Sequence, residues 1–175
     1  MKNKLIIYST TDGQTLAICE RIKGILDKNS STELLALPDY SGEDLNQYDQ
    51  IILGASIRYG KHNPLVNKFI ESYREVLENK KSVFFTVNVV ARKSNKNSPE
   101  TNPYLKKFRT STSWKPDLLG VFAGKIDYPK YGFWDRHIIR LIMFMTKGPT
   151  DTSKTYEFTD WKKVDEFAYK ISQSV

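Results

Sequence analysis

The sequence contains one cysteine and two histidines among its 175 residues, and it has no long apolar run. The single thiol, Cys19, excludes a disulfide framework, and its place among the apolar positions of the first predicted helix indicates a buried, inert side chain. His62 and His137 have no Cys or carboxylate at ligand spacing, so no metal site is predicted. The short apolar run after Lys4 is not followed by a small-residue cleavage site. We therefore expect no secretory signal and a cytoplasmic location.

The composition, with 39% apolar and 13% aromatic residues and no internal repeat, predicts a single globular domain over residues 1–175. The net charge of +7 is unevenly spread, because residues 89–148 hold 12 Lys or Arg against 4 Asp or Glu. This local excess suggests an anionic partner, either nucleic acid, a membrane surface or a polycarboxylate ligand, and a merely solvated face is the alternative. The basic segment has no recognisable nucleic-acid-binding pattern, so no nucleic acid is expected as a partner.

The first candidate site follows the first predicted strand. Leu5–Tyr8 is an apolar run typical of a short buried strand, and apolar residues recur at helical spacing from Gln14 onward. The polar residues between them lie in a strand-to-helix loop, where unpaired N–H groups of a helix N-terminus suit a phosphate. Gly13 would allow close backbone approach, and helix capping without any ligand is the alternative. The loop residues are Ser9, Thr10, Thr11, Asp12, Gly13, Gln14 and Thr15.

Two further predicted strands, Gln50–Gly54 and Ser82–Val87, also run into loops of small or polar residues. The carboxyl ends of parallel strands meet at one edge of a sheet, so these loops are expected to contact the same ligand. The first consists of Ala55, Ser56, Ile57, Arg58, Tyr59 and Gly60, and the second of Asn88, Val89, Val90, Ala91 and Arg92.

The remaining strands are predicted at residues 31–37 and 118–124, and helices are predicted from Pro64, around Tyr104 and from Asp160. Strands that alternate with helices predict an α/β fold: a flavodoxin-like five-stranded parallel sheet of order 2-1-3-4-5 with helices on both faces. An insertion at about residues 125–150 interrupts this scheme near the fifth strand. It is much longer than the usual connection of about four to six residues, so we expect it to carry function.

The insertion contains an amphipathic helix. Positions 134, 138, 141, 142 and 145 form one apolar stripe, while Arg136 and Arg140 lie together on another side. A helix of this length falls short of the roughly twenty residues that span a bilayer. Basic residues with Trp and Phe suit a helix that lies on a membrane surface, and packing of the stripe against the domain is the alternative.

Five segments together resemble the bacterial flavodoxin-like, menaquinone-dependent protoporphyrinogen oxidases: residues 9–15, 54–60, 87–93, 128–131 and 159–161. The resemblance covers almost the whole chain, in order. General flavodoxins are less similar, because their phosphate loop usually has Thr-x-Thr-Gly-x-Thr, whereas Asp12 replaces the second Thr here. Flavodoxin electron carriers are also typically acidic, and this chain is basic.

The resemblance implies an FMN enzyme that oxidises protoporphyrinogen IX in haem biosynthesis and passes electrons to menaquinone or ubiquinone. Thr10 to Thr15 would hold the FMN phosphate, and the two later loops would flank the isoalloxazine ring, with Tyr59 as their only aromatic residue. The flavin performs the chemistry, so no catalytic side chain is expected. The substrate's propionates suit basic side chains. The candidates are Arg58, Arg92, Lys93, Arg136 and Arg140.

Reoxidation by a lipid-soluble quinone requires contact with a membrane, so we expect peripheral binding at the inner face of the cell membrane, with an anionic lipid surface as partner. Two alternatives stay open. One is a small FMN electron-transfer flavoprotein or quinone reductase of flavodoxin type, and the other is a flavin-free module that docks through its basic segment.

Overall fold

The computed structural model describes residues 2–174. Its central sheet has five parallel strands in the order β2-β1-β3-β5-β6, and a short strand, β4, pairs antiparallel with β3. Without the short hairpin strand β4, the five parallel strands have the predicted order 2-1-3-4-5. The strand bounds are β1 Lys2–Ser9, β2 Ser30–Ala36, β3 Gln50–Arg58, β4 Lys61–His62, β5 Lys81–Asn88 and β6 Leu118–Ala123.

Helices cover both faces of the sheet, as predicted. Along β1, Ile6 faces a cluster that includes residues of α1 and α6, while Leu5 and Ile7 face a second cluster that includes residues of α2, α3 and α4. Alternate residues of a strand point to opposite faces, so each buried strand contributes to two cores. The helix bounds are α1 Gln14–Leu26, α2 Pro64–Ser72, α3 Arg74–Asn79, α4 Pro103–Ser111, α5 Phe133–Met145 and α6 Trp161–Gln173.

The largest errors in the predicted boundaries concern β3 and the helix that begins at Pro64. The third strand continues to Arg58 and does not end at Gly54, because its last residues pair with β4 in a hairpin (Ile57 with His62, Arg58 with Lys61). Residues 55–58 therefore belong to a strand and not to a loop. The single helix that was predicted from Pro64 is divided at Tyr73 into α2 and α3.

The insertion forms a small subassembly at the carboxyl edge of the sheet. Strand β7 (Lys125–Asp127) pairs antiparallel with strand β8 (Thr155–Glu157), and a short 3-10 turn and α5 lie between them. Ile126, Tyr128 and Met143 are buried in a cluster of their own. Because β7 follows β6 directly, this subassembly is held next to the loops that were predicted to bind a ligand.

Candidate functional site

The predicted phosphate loop forms a cradle at the start of α1. Gly13 occupies the N-cap position with a φ of 84°, and no side chain caps the helix. A Cβ atom at Gly13 would meet nothing within 4 Å, so glycine is favoured here by backbone conformation and not by lack of space. Its N–H donates to Thr10 Oγ1 (3.0 Å), which shapes the loop. The N–H groups that follow it in the first helical turn have no intrahelical acceptor, so they remain available to an anion.

The hydroxyl of Thr15 is the strongest sign of a ligand in the cradle. Thr15 is fully buried, and its Oγ1 has no hydrogen-bond partner among residues 2–174. A buried hydroxyl without a partner is costly, so this donor is suited to an acceptor that the protein itself does not supply. Thr10, Thr11 and Ser56 line the same narrow cavity. Hydroxyl donors around a helix N-terminus fit a phosphate group, and hence the phosphate of FMN.

A larger cavity of about 310 Å³ adjoins the cradle. The two share Asp12, Ile57, Asn88, Val89 and Lys125 as lining residues, so one ligand can extend from the cradle into the larger space. We call this larger space the main cavity. Its size is at the lower end of the range for small-molecule sites, about 300 to 1,000 Å³.

The loop after β5, which was predicted to flank the flavin ring, owes its conformation to Asn88, the last residue of that strand. Its side-chain oxygen accepts from Ala91 N (3.0 Å) and from Asn102 Nδ2 (3.2 Å). This cap stabilises a 3-10 turn over Val89–Arg92 and directs Val89 and Val90 into the main cavity. An apolar wall of this kind suits the face of an aromatic ring.

Arg58 connects three segments at the mouth of the main cavity. Its guanidinium donates to Asp12 Oδ2 (2.7 Å) and to Asp135 Oδ2 (3.2 Å), which lies in the first turn of α5. Its carbon Cζ also lies 4.9 Å from the ring centroid of Tyr131 and 5.2 Å from that of Tyr59. Tyr59 in turn donates to Asp135. The phosphate loop, the β3–β4 hairpin and the insertion are therefore held together by one charged network.

Burial and charge act against each other in this network. Burial raises the pKa of Asp12 above its ordinary value, although Arg58 and the Tyr131 hydroxyl (3.3 Å) both favour the charged carboxylate. Burial also works to lower the pKa of Arg58, but Asp12 and the two tyrosines raise it overall. The carboxylate of Asp12 thus faces a cation inside the protein. This explains how an acidic residue is tolerated in a loop that is suited to an anion.

Most of the predicted ligand residues line the two cavities, while five do not. Ser9 and Ala55 are buried within strands, Gly13 contributes only backbone, and Ala91 is buried below the turn. Arg92 points away and donates to the carbonyl oxygens of Val89 (3.1 Å) and Thr146 (2.9 Å). The residues on the cavity walls are Thr10, Thr11, Asp12, Gln14, Thr15, Ser56, Ile57, Arg58, Tyr59, Gly60, Asn88, Val89 and Val90.

The side chains that were predicted to bind the propionates differ in whether they already have partners within the protein. Arg58 is paired with two carboxylates, and Arg92 and Arg136 donate to backbone carbonyl oxygens of the protein. Lys93 is half-buried and Arg140 is exposed, and neither lines the main cavity.

Sequence reasoning missed several wall residues. Lys125 lines both cavities and places a cation beside a cradle whose own loop has none. The sequence could have predicted this role, because Lys125 comes two residues after the end of β6, at the same edge of the sheet. Tyr104, Tyr131, Ile139 and Met143 also line the main cavity, and only tertiary folding brings them there.

The apolar stripe of α5 is exposed. Trp134 and Met145 are 76% and 74% exposed, and Leu141 is 59% exposed, whereas Met143 is buried on the opposite side. The alternative that this stripe packs on the domain is therefore wrong. Within residues 2–174, no helix is both long enough and apolar enough to cross a membrane.

Comparison with known proteins places this chain in a family. The family model described as "Flavodoxin domain" matches residues 5–153. The chain is 38% identical over 169 residues to protoporphyrinogen IX dehydrogenase [quinone] of Escherichia coli K12, covering 96% of this chain and 93% of that protein. It is 40% identical to the protein of the same name from Leishmania major, covering 94% and 72%. The chain belongs to the flavodoxin-domain family of protoporphyrinogen IX dehydrogenases.

Solved structures agree on the fold of this family member. Oxidised flavodoxin 1 from Bacillus cereus superposes with a TM-score of 0.58 at 15% identity, covering 99% of both chains. At this low identity the likeness concerns the fold alone. It confirms the flavodoxin-like sheet, and the resemblance noted in the sequence is confirmed by the two relatives of the same family.

Proposed function

We propose that this protein is an FMN-dependent oxidoreductase that converts protoporphyrinogen IX to protoporphyrin IX and passes the electrons to a quinone. The name of its relatives gives this substrate and this class of acceptor. One observation in the structure supports the proposal most: the buried, unpartnered hydroxyl of Thr15 lies in a cradle that opens into the main cavity. A phosphate-bearing planar cofactor fits this arrangement.

The cofactor is held by the loop at the start of α1 and by the walls of the main cavity. Thr10, Thr11, Thr15 and Ser56 donate hydroxyl hydrogens to the phosphate, and the helix N-terminus adds backbone donors. Lys125 adds positive charge from the neighbouring segment. When bound, the flavin supplies hydride and electron transfer, so the protein's contribution is orientation, electrostatics and exclusion of water.

The walls of the main cavity orient the two reactants. Val89 and Val90 supply an apolar surface on one side, and Ile139 and Met143 of α5 supply one on another. Arg58 keeps a positive charge at the mouth, because Asp12 and the two tyrosines raise its pKa although burial works to lower it. These groups exclude water from one side of the site and leave the mouth open to substrate.

The insertion provides the contact with the membrane in this proposal. Trp134, Leu141 and Met145 form an exposed apolar surface on α5, and Arg140 is exposed on the same helix. Such a helix lies in the interface plane, where anionic lipids attract basic residues with about 1 kcal/mol each. A lipid-soluble quinone would then reach the mouth of the main cavity without leaving the membrane.

The proposed activity is tested with the FMN-loaded protein, protoporphyrinogen IX and a menaquinone analogue under anaerobic conditions. We expect protoporphyrin IX to accumulate only when the quinone is present, because one FMN holds two electrons and must be reoxidised between steps. Flavin that is reduced by other donors without any turnover of porphyrinogen would instead support a small electron-transfer flavoprotein.

The phosphate assignment has its own test in Thr15→Val, which removes the hydroxyl and keeps the shape. The Thr15 hydroxyl has no hydrogen-bond partner among the described residues, so the FMN-free variant should lose no stability to chemical denaturation. The dissociation constant for FMN should rise about tenfold or more, since hydrogen bonds to charged groups contribute about 1.5 to 3 kcal/mol.

The matched control for this substitution is Thr32→Val. Thr32 is buried in β2, and its Oγ1 lies 3.3 Å from Ser30 Oγ, so this change should lower stability without affecting FMN binding. Unchanged FMN binding by Thr15→Val would contradict the phosphate assignment.

A further inference from the structure

A second cavity of about 280 Å³ lies beside the main cavity, on the other side of the hairpin turn between β3 and β4. The two cavities share Ile57, Gly60 and Tyr104 as lining residues. The second cavity also has Phe108 and His62 on its walls. Because Ile57, Gly60 and Tyr104 border both cavities, a ligand that is larger than the main cavity can cross the turn and enter the second cavity.

The partition between the cavities is a single tight turn. Arg58 and Lys61 are directly paired, and the two residues between them both have positive φ, 49° for Tyr59 and 77° for Gly60. Two-residue hairpin turns with both φ values positive are type I′ turns, in which glycine is favoured. A Cβ atom at Gly60 would make an ordinary contact of 3.9 Å with the ring of Tyr104, so glycine is favoured here by its backbone conformation and not by lack of space. The hairpin thus presents Arg58 to one cavity and Lys61 to the other.

The basic side chains on the two sides of this turn differ in whether they form ion pairs. Arg58 is paired with Asp12 and Asp135. By contrast, the second cavity is lined by Lys61 and Lys107, and neither forms an ion pair in the part of the chain that the structure describes.

The remaining groups in the second cavity do not neutralise these lysines. None of its lining residues is an Asp or a Glu. Burial lowers the pKa of His62 to about 4, so its ring is neutral at physiological pH, and its Nε2 lies 3.1 Å from Thr86 Oγ1. The second cavity therefore has two free cations and an aromatic wall, which suits a carboxylate attached to an apolar body.

The size of the substrate makes this second space relevant. At about 310 Å³, the main cavity suits one small planar ligand, and the isoalloxazine ring of the proposed cofactor would occupy much of it. A tetrapyrrole with two propionate arms must then extend beyond the main cavity. The predicted propionate ligands Arg58, Arg92 and Arg136 already donate to groups of the protein itself. Lys125 of the main cavity is assigned to the phosphate, so the propionates need cations elsewhere.

We infer that the second cavity is a carboxylate-binding subsite, in which Lys61 and Lys107 hold a propionate of the porphyrinogen that reaches over the Tyr59–Gly60 turn. This inference rests on the proposed function and assigns substrate-binding residues to it. Neither lysine belongs to the cofactor cradle. Their removal should therefore affect the substrate and leave FMN in place.

The test compares a diacid with its ester. Binding of protoporphyrin IX and of its dimethyl ester to the FMN-loaded protein is measured by titration of porphyrin fluorescence. Lys61→Gln and Lys107→Gln should each raise the dissociation constant of the diacid about fivefold, as expected for a partly exposed charged contact, and the double variant should raise it about 25-fold. The affinity for the ester should not change, because the ester has no charge for the lysines to bind.

The matched control is Lys106→Gln, because Lys106 is the neighbour of Lys107 on α4 and does not line the cavity. It should bind both porphyrins like the unaltered protein. FMN content, read from flavin absorbance, should be the same in all variants. In turnover, the double variant should raise KM for protoporphyrinogen and leave kcat unchanged, as expected when uniform binding is lost.

Two results would overturn the subsite alone. One is a double variant that binds the diacid and turns it over like the unaltered protein. The other is an equal loss of affinity for acid and ester, which would indicate a shape effect and not recognition of a carboxylate. If the unaltered protein neither oxidises protoporphyrinogen nor binds either porphyrin, the proposed function is overturned and the subsite with it.

Discussion

Helices α5 and α6 have the same length of 13 residues but opposite surroundings. Helix α6 buries Val164, Phe167, Ala168 and Ile171 against the sheet. Helix α5 buries only Met143 and exposes large apolar side chains, among them Phe133, Trp134, Ile138, Leu141, Phe144 and Met145. Both helices are amphipathic, so periodicity alone does not decide whether an apolar stripe is covered.

The difference follows from what each helix finds beside it. Helix α6 covers one face of the sheet with α1, while α2, α3 and α4 cover the other face. No sheet face is left for α5, which packs on the small cluster around Tyr128 and is joined to the β3–β4 hairpin through Asp135. Exposed contiguous apolar patches of this kind often mark interaction sites, which agrees with the membrane contact proposed above. We therefore expect the sheet helices to carry stability and propose that α5 carries the contact with the membrane.

The largest expected effect is a matched isoleucine truncation in the two helices. Ile171 of α6 is fully buried, and Ile138 of α5 is 44% exposed. Ile171→Ala should lower the free energy of unfolding by about 2 to 5 kcal/mol, because it leaves a cavity in the core. Ile138→Ala should change it by no more than about 0.5 kcal/mol, as is usual at the surface. Urea denaturation at equal FMN loading measures both, and similar losses in the two variants would contradict the assigned division of roles.

The next effect is on vesicle binding. Trp134→Ser combined with Phe144→Ser removes two side chains of α5 that are 76% and 74% exposed. Binding to anionic vesicles should fall about tenfold or more, since each large side chain that enters the interface contributes about 1.5 to 3 kcal/mol when fully buried. Sedimentation with vesicles of anionic and neutral lipid, at low and high salt, measures the change.

The control for that experiment is Tyr169→Ser, which removes an aromatic side chain of α6 that is 51% exposed. Its vesicle binding should equal that of the unaltered protein. Arg140→Glu should weaken binding to anionic vesicles only, because Arg140 is exposed. Arg136 is less suitable for this purpose, since its guanidinium donates to Tyr131 O and its Nε is buried. Equal binding to anionic and neutral lipid would contradict electrostatic docking.

Much of the sheet could be predicted from the sequence. Buried parallel strands are continuous apolar runs bounded by polar residues, so the strands and the first strand-to-helix loop followed from local patterns. The strand order followed from the alternation of strands with helices and from the handedness of their connections. The end of β3 could not be predicted, because the pairing of Arg58 with Lys61 depends on a turn with two positive φ values, one of them at a tyrosine. The pattern of α5 predicted a helix and a stripe, but exposure depends on which neighbouring faces are already covered.

The site was predictable to the extent that it follows strand ends. Thr15 and Asn88 were predicted as site residues because carboxyl ends of parallel strands converge, and both line the cradle. Lys107, which lines the second cavity, was not predicted to do so, since it lies on a helix face whose distance from the hairpin depends on tertiary packing. The partners of Arg58 were equally inaccessible, because Asp12 and Asp135 are far from it in sequence.

The smallest expected effect concerns Arg58, which links α5 to the sheet. Arg58→Gln removes the ion pairs with Asp12 and Asp135 and leaves Tyr59 as the remaining contact of the hairpin with α5. These ion pairs are partly exposed and each contributes modestly, so global stability should change little. Local opening of α5 should become easier, and amide hydrogens of residues 133–145 should exchange about three- to tenfold faster.

The control is Arg21→Gln, which breaks a bidentate pair with Asp165 between α1 and α6 (2.7 Å for both contacts). Because the packed cores of those helices hold them in place, exchange in α5 should not change in the control. Unchanged exchange in α5 of Arg58→Gln would show that the small cluster around Tyr128 alone positions the helix, and that the charged network serves the cavity and not the insertion.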